Sequence, residues 1–173
     1  MPTMGTNIAP PMLAINPLAT ESHRSEQKGF AQLVKADGTV SSLDWLGAIG
    51  GLIKTRLEAF DVEVVPVRRS GGAGALGPDE WRERLGEFDW VILAVPATPE
   101  TDAMIGKAEL AAMKDSAVLV NIARGAVVDQ PALIEALEAK AIGGALLDVT
   151  TPEPLPADHP LWDISNAQVT MHL

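Results

Sequence analysis

Cysteine is absent from the 173-residue chain. That removes disulfides, thiolate catalysis and Cys-ligated zinc together. Histidine is scarce, and His23, His159 and His172 show no metal-ligand spacing, so no metal site is expected. No apolar run approaches the ~20 residues needed to span a bilayer. The N-terminus shows no basic segment followed by an apolar one, the mark of a secretory signal. A soluble cytoplasmic protein without membrane association is the expectation. Basic residues are also few: 13 Lys and Arg against 23 Asp and Glu leave a net charge of −10. Sequence-independent nucleic-acid binding, which needs cations to neutralise phosphates, is therefore not expected. A single anionic cofactor remains compatible, because a helix N-terminus and one or two arginines suffice locally.

What is present suits a folded domain. Hydrophobic residues make up 47% of the chain and charged residues 21%, enough apolar material for a core. No internal repeat is visible. Residues 1–44 stand apart: "NIAPPMLAINPLA" is punctuated by Pro10, Pro11 and Pro17, and "ESHRSEQKGFAQLVK" reads as a polar helix with few anchors. From Gly47 onward the pattern becomes regular. Residues 50–60 read as a helix with Ile53, Leu57 and Phe60 on one face. "VEVVPV" is a short strand that Pro66 would weaken at a central position. "DWVILAVP", "SAVLVNIA", "GGALLDV" and "AQVTM" read as further strands. Short helices fall at residues 80–86 and 107–113, and a longer one is capped by Asp129 and runs to Glu138. Strands that alternate with helices and are apolar throughout predict a mainly parallel sheet covered on both faces, a three-layer α/β fold. The sheet should be best formed between Val62 and Val169.

"LGAIGG" (residues 46–51) offers two-thirds of a dinucleotide-binding turn. Gly47 and Gly50 have the spacing of its second and third glycines, but Trp45 stands at the first. The strand before it is interrupted by Ser41, Ser42 and Asp44, so a short or distorted first strand is predicted. Ligands of open α/β sheets sit beyond the strands' carboxyl ends. The residues following the strands are Arg68 and Arg69, then Pro96, Ala97 and Thr98, then Ala123 and Arg124, then Asp148 and Glu153, and last His172. An Arg, a Glu and a His at one rim can run acid–base chemistry on an anionic or carbonyl substrate. Each also has an ordinary reading: a surface arginine, a solvated loop glutamate, a chain-end histidine.

The motifs "NIARGAVVD", "EALEAKAIGGALLDV", "PEPLP" and "HPLW" occur in that order. With them, roughly residues 43–173 resemble the D-isomer-specific 2-hydroxyacid dehydrogenases, which include glyoxylate/hydroxypyruvate reductases and phosphoglycerate dehydrogenase. The resemblance implies a Rossmann-like dinucleotide-binding domain over residues 45–173, preceded in 1–44 by an irregular remnant of the crossover-helix region. It implies hydride transfer between a nicotinamide cofactor and a small 2-keto or 2-hydroxy acid. Arg124 would hold the substrate's carboxylate and ketone oxygen, as a planar guanidinium fork can. His172 would donate the proton, and Glu153 would orient that imidazole and favour its charged form. Gly47, Ala48, Ile49 and Gly50 would meet the pyrophosphate, Arg68 and Arg69 the ribose end, and Pro96, Ala123 and Asp148 the remainder of the cofactor. Arginines where NAD-specific folds carry an acidic residue favour NADP(H) over NAD(H). Two copies would pair through this domain.

The chain also departs from the family pattern. The separate substrate domain has no counterpart in it, Met171 replaces a proline, and Lys54 stands where a small residue packs helix on sheet. The expectation is a chain weakly active or inactive by itself. The alternative is a non-catalytic cofactor-binding or dimerising remnant.

Overall fold

Short apolar strands joined by helices satisfy their backbone groups by lying side by side in parallel, because each crossover returns the chain to the same end of the sheet. The computed structural model describes residues 28–31, 48–68 and 74–170. They form a six-stranded sheet in the order β2-β1-β3-β4-β5-β6. The strands are β1 (Lys28–Ala31), β2 (Glu63–Pro66), β3 (Trp90–Leu93), β4 (Val118–Asn121), β5 (Gly144–Leu147) and β6 (Ala167–Val169). Every neighbouring pair is parallel. The helices are α1 (Ala48–Glu58), α2 (Glu80–Glu83), α3 (Lys107–Ala112) and α4 (Gln130–Glu138).

The pleat sorts the core. Val91 and Leu93 of β3 join a large cluster with Trp81, Leu85, Phe88, Leu110, Leu119, Leu133 and Leu137. Ile92, between them, faces the other way and packs with Val64 against Ile53 and Leu57 of α1. Alternate residues of one strand thus serve two layers, and the three-layer parallel fold predicted from the sequence is the one observed. Val91 pairs with Leu119 and Leu119 with Ala145, so one register row crosses the main core.

Two expectations need correction, and the place of Pro66 is decided. Phe60 does not share the buried face of α1: the helix ends at Glu58, Asp61 turns the chain at φ 60°, and Phe60 is 80% exposed. Lys28–Ala31, read within a polar helix, is a strand hydrogen-bonded on both sides. Gly29 and Phe30 suit an extended segment better than a helix interior. Pro66 weakens no central strand, because β2 is the outermost on its side. Its carbonyl accepts the Leu76 amide at 2.9 Å, where the missing N–H costs nothing. β1 has four residues and is not the strand expected just before Gly47. That strand lies outside the described residues, as do Trp45 and Met171.

Helix ends are settled locally. The Asp129 carboxylate caps α4 by accepting the Ala132 amide at 3.2 Å. At α3 the Glu109 carboxylate accepts the Gly106 amide at 3.1 Å and the Arg82 Nε–H at 2.9 Å. Burial pushes this carboxyl up, but the Arg82 guanidinium and the Gly106 amide more than offset it and hold it below the ordinary value of 4.5. A depressed carboxyl stabilises the fold above its unfolded value and loses that contribution as pH falls. Glu109→Gln is expected to lower stability by about 0.5–1 kcal/mol at neutral pH. In urea titrations the gap should close by pH 3; a gap that persisted there would refute the assignment.

Candidate functional site

All six strands being parallel, their carboxyl ends share one rim. The chain runs from β1 outward to β2 and then crosses back to β3 on β1's other side. The topological switch point, where such sheets bind ligands, therefore lies between β1 and β3. Helix α1 leads into the start of β2, so its first turn points back toward this rim. Ala48, Ile49 and Gly50 form that turn. It carries no acidic side chain, which leaves the helix's positive end open to an anion. Gly50 is buried, whereas Ile49 is exposed.

The remaining predicted residues follow the strands. Arg68 comes just after β2, half-buried, with its amide on the Leu76 carbonyl at 2.8 Å. Pro96 lies exposed beyond β3, and its carbonyl accepts the Thr101 hydroxyl at 2.8 Å. Ala123 is buried, and exposed Arg124 donates from Nη1 to the Ala123 carbonyl at 2.6 Å. Asp148, half-buried, accepts the Thr170 hydroxyl at 2.6 Å. Glu153 is exposed in the loop after β5. Gly47, Arg69 and His172 lie outside the described residues.

Several residues that hold this rim were not singled out from the sequence. Asn121, at the end of β4, is 1% exposed. Its Oδ1 accepts the Ala123 amide, its Nδ2 donates to the Arg124 carbonyl, both at 3.0 Å, and its own carbonyl accepts the Asp148 amide at 2.9 Å. One buried residue thus fixes the Arg124 turn through its side chain and the start of the Asp148 loop through its backbone. The loop is braced further by Gln130, whose side chain pairs with both backbone groups of Thr151 and touches His159 Nε2 at 3.2 Å. The available signal was a polar residue at the end of an apolar strand. Such a residue is buried only when fully hydrogen-bonded.

The donor set suits a dinucleotide. It offers a helix N-terminus for phosphate, a cation after β2, and a carboxylate after β5 able to accept from an amide. Among the described residues no group of three or more His, Cys, Asp or Glu is placed to hold a metal ion. Among the same residues no helix is long and apolar enough to cross a membrane.

Comparison with known proteins bears on the same residues. A family model described as D-isomer specific 2-hydroxyacid dehydrogenase, NAD binding domain, matches residues 18–173. The glyoxylate reductase of Pyrococcus furiosus is 44% identical over 133 residues, covering 73% of this chain and 39% of that protein. A D-isomer specific 2-hydroxyacid dehydrogenase from Xanthobacter autotrophicus Py2, solved in complex with NADPH and MES, superposes with a TM-score of 0.73 at 32% identity; the match covers 87% of this chain and 45% of that one. An NAD-dependent formate dehydrogenase from Staphylococcus aureus, solved in complex with NAD, gives 0.68 at 30% identity over 86% of this chain and 42% of that one. The chain spans less than half the length of the curated relatives it matches, 28% to 43%.

The Arg124 turn leaves no room beside Gly125. A Cβ there would stand 2.1 Å from the Thr150 carbonyl oxygen, and backbone cannot step aside as a flexible side chain can. Gly125→Ala is expected to cost about 1–3 kcal/mol, the usual range for overpacking. Chemical denaturation reads the loss, and a variant as stable as the parent would show that these two loops are not in contact.

Proposed function

The chain belongs to the D-isomer specific 2-hydroxyacid dehydrogenase family, matching its NAD binding domain, and on that premise we propose that its carboxyl rim binds a nicotinamide dinucleotide for hydride exchange with a small 2-keto or 2-hydroxy acid. The observation that supports this most directly is the sheet order. It sets a switch point between β1 and β3 and brings Arg68, Pro96, Arg124 and Asp148 to the rim that the acid-free turn of α1 also reaches. When bound, the nicotinamide supplies or accepts the hydride.

The chain's own residues do the rest. Arg124, exposed at the rim, clamps the substrate carboxylate and polarises its ketone. His172 passes the proton to and from the substrate oxygen, and Glu153 orients that ring. Asp148, held by Thr170, takes the carboxamide end of the cofactor. Gly47 to Gly50 face its pyrophosphate, and Ala123 and Pro96 line its path. Pairing of two copies through this domain and a cytoplasmic location complete the proposal. Trp45, at the place of the first fingerprint glycine, favours a second reading: a cofactor-binding or pairing module without turnover. Glycine reaches backbone conformations there that a bulky residue does not.

Arg68, with Arg69, supports a preference for NADPH. A charge-assisted contact to the 2′-phosphate contributes roughly 1.5–3 kcal/mol, about a ten- to hundredfold difference in affinity. Fluorescence titrations should show NADPH binding tighter than NADH, with Arg68→Asp abolishing the difference. Equal affinities in the parent chain would overturn the preference.

Turnover needs cofactor, substrate and proton donor in place at once, and positioning can supply ~7–11 kcal/mol of a barrier. For the chain assayed by itself, Arg124 is the group proposed to hold the substrate carboxylate. The chain is expected to reduce glyoxylate or hydroxypyruvate very slowly or not at all. Where turnover is measurable, His172→Ala should lower it by about 10²–10⁴-fold. Rates in the ordinary range of ~1–10³ per second would contradict the expectation.

A further inference from the structure

The turn beyond β3 is closed by the Thr101 and Asp102 amides donating to the Thr98 carbonyl at 3.0 and 3.1 Å, and one hydroxyl braces it from inside. Thr101 is 0% exposed. Its Oγ1 accepts the Thr98 amide at 2.8 Å and contacts the Pro96 carbonyl at 2.8 Å and the Thr98 carbonyl at 3.2 Å. The Thr98 hydroxyl lies 3.3 Å away. An apolar side chain of this size would fill the same space. The hydroxyl is used instead on polar backbone atoms of Pro96 and Thr98, the segment that leaves β3 at the switch point. The same turn runs on into the neighbouring loop: the Ala103 amide donates to the Ala126 carbonyl at 2.8 Å and the Ile105 amide to the Val127 carbonyl at 3.1 Å. Residues 126 and 127 belong to the short turn that directly follows Arg124.

We infer that Thr101 is a positioning residue for the cofactor crevice: it fixes the Pro96–Thr98 wall at the switch point without itself touching the dinucleotide. The inference rests on the cofactor reading of this rim. Its physical basis is the cost of leaving polar groups unpaired. Without the hydroxyl the Thr98 amide loses its acceptor inside the turn. The segment must then open to find water, and a wall that opens no longer presents one surface to a ligand.

The test compares the full chain with Thr101→Val, which keeps the volume, and Thr101→Ser, which keeps the hydroxyl. NADPH affinity is read by fluorescence, and amide hydrogen exchange at Thr98, Ala103 and β4 by NMR. Thr101→Val is expected to weaken NADPH binding about five- to thirtyfold, the effect of one or two lost hydrogen bonds. It should also speed exchange at Thr98 and Ala103 by about tenfold or more while β4 stays protected. Thr101→Ser should restore both. Unchanged exchange at Thr98 in Thr101→Val overturns the inference, because the hydroxyl then does not hold the wall. A freed Thr98 amide with undiminished NADPH affinity overturns it as well, because the wall then does not matter to the ligand. If β4 also loses protection, Thr101→Ala replaces the valine variant under the same criteria. Should the parent chain bind neither NADPH nor NADH, the cofactor reading fails by itself, and the exchange result alone supports or overturns the hold of Thr101 on the turn.

Discussion

Parallel pairing of short strands is the constraint from which the rest of this molecule follows. A parallel strand cannot be joined to its neighbour by a hairpin. The chain must cross the sheet after each strand, and the helices that make those crossings become the covering layers. Every carboxyl end then falls on one rim. Because β1 sits inside the sheet, with β2 on one side and β3 on the other, the crossovers diverge from it and leave a crevice. Nothing about a ligand is needed to produce this geometry, yet it decides where a ligand fits.

The rim is built from backbone more than from charge. Asn121 spends both ends of its side chain on the Ala123–Arg124 turn. Gly125 lets that turn lie against the Thr150 carbonyl. Thr170 holds the Asp148 carboxylate from the neighbouring strand end. The groups with chemical potential, Arg124 and Glu153, are exposed; behind them the Asn121 amide and the Thr101 hydroxyl are buried, while Thr170 braces Asp148 from an exposed position. This division has an energetic reason. A buried polar group must be satisfied and so fixes its surroundings, whereas an exposed charge keeps its solvation.

Among the described residues, the two faces of the sheet carry separate apolar clusters. The main cluster, from Trp81 and Phe88 through Leu119 to Leu137, holds the strands beneath α2, α3 and α4. The second cluster is small, with Val64 and Ile92 at its centre and α1 over it. Among the described residues, α1 meets this second cluster through Ile53 and Leu57. Lys54 contributes an ion pair with Glu58 along α1.

The sequence by itself determined the strands from β2 to β6, the helices between them and the parallel fold. Continuous apolar runs such as "WVIL" and "VLVN" admit burial on two faces and little else. It also placed Arg68, Pro96, Arg124 and Asp148 beyond strand ends, because in a parallel sheet position along the chain fixes the end of the sheet. Tertiary structure alone decided which strand lies between β2 and β3. Lys28–Ala31 carries no strand pattern of its own, and its extended form comes from two neighbours offering hydrogen bonds. It likewise decided that Pro66 stands harmlessly at an edge and that Phe60 lies outside the core. It also recruited Asn121, Thr101 and Gln130 as braces. Residue type and spacing report what a side chain can bond to; only the arrival of a partner from a distant part of the chain decides whether it does.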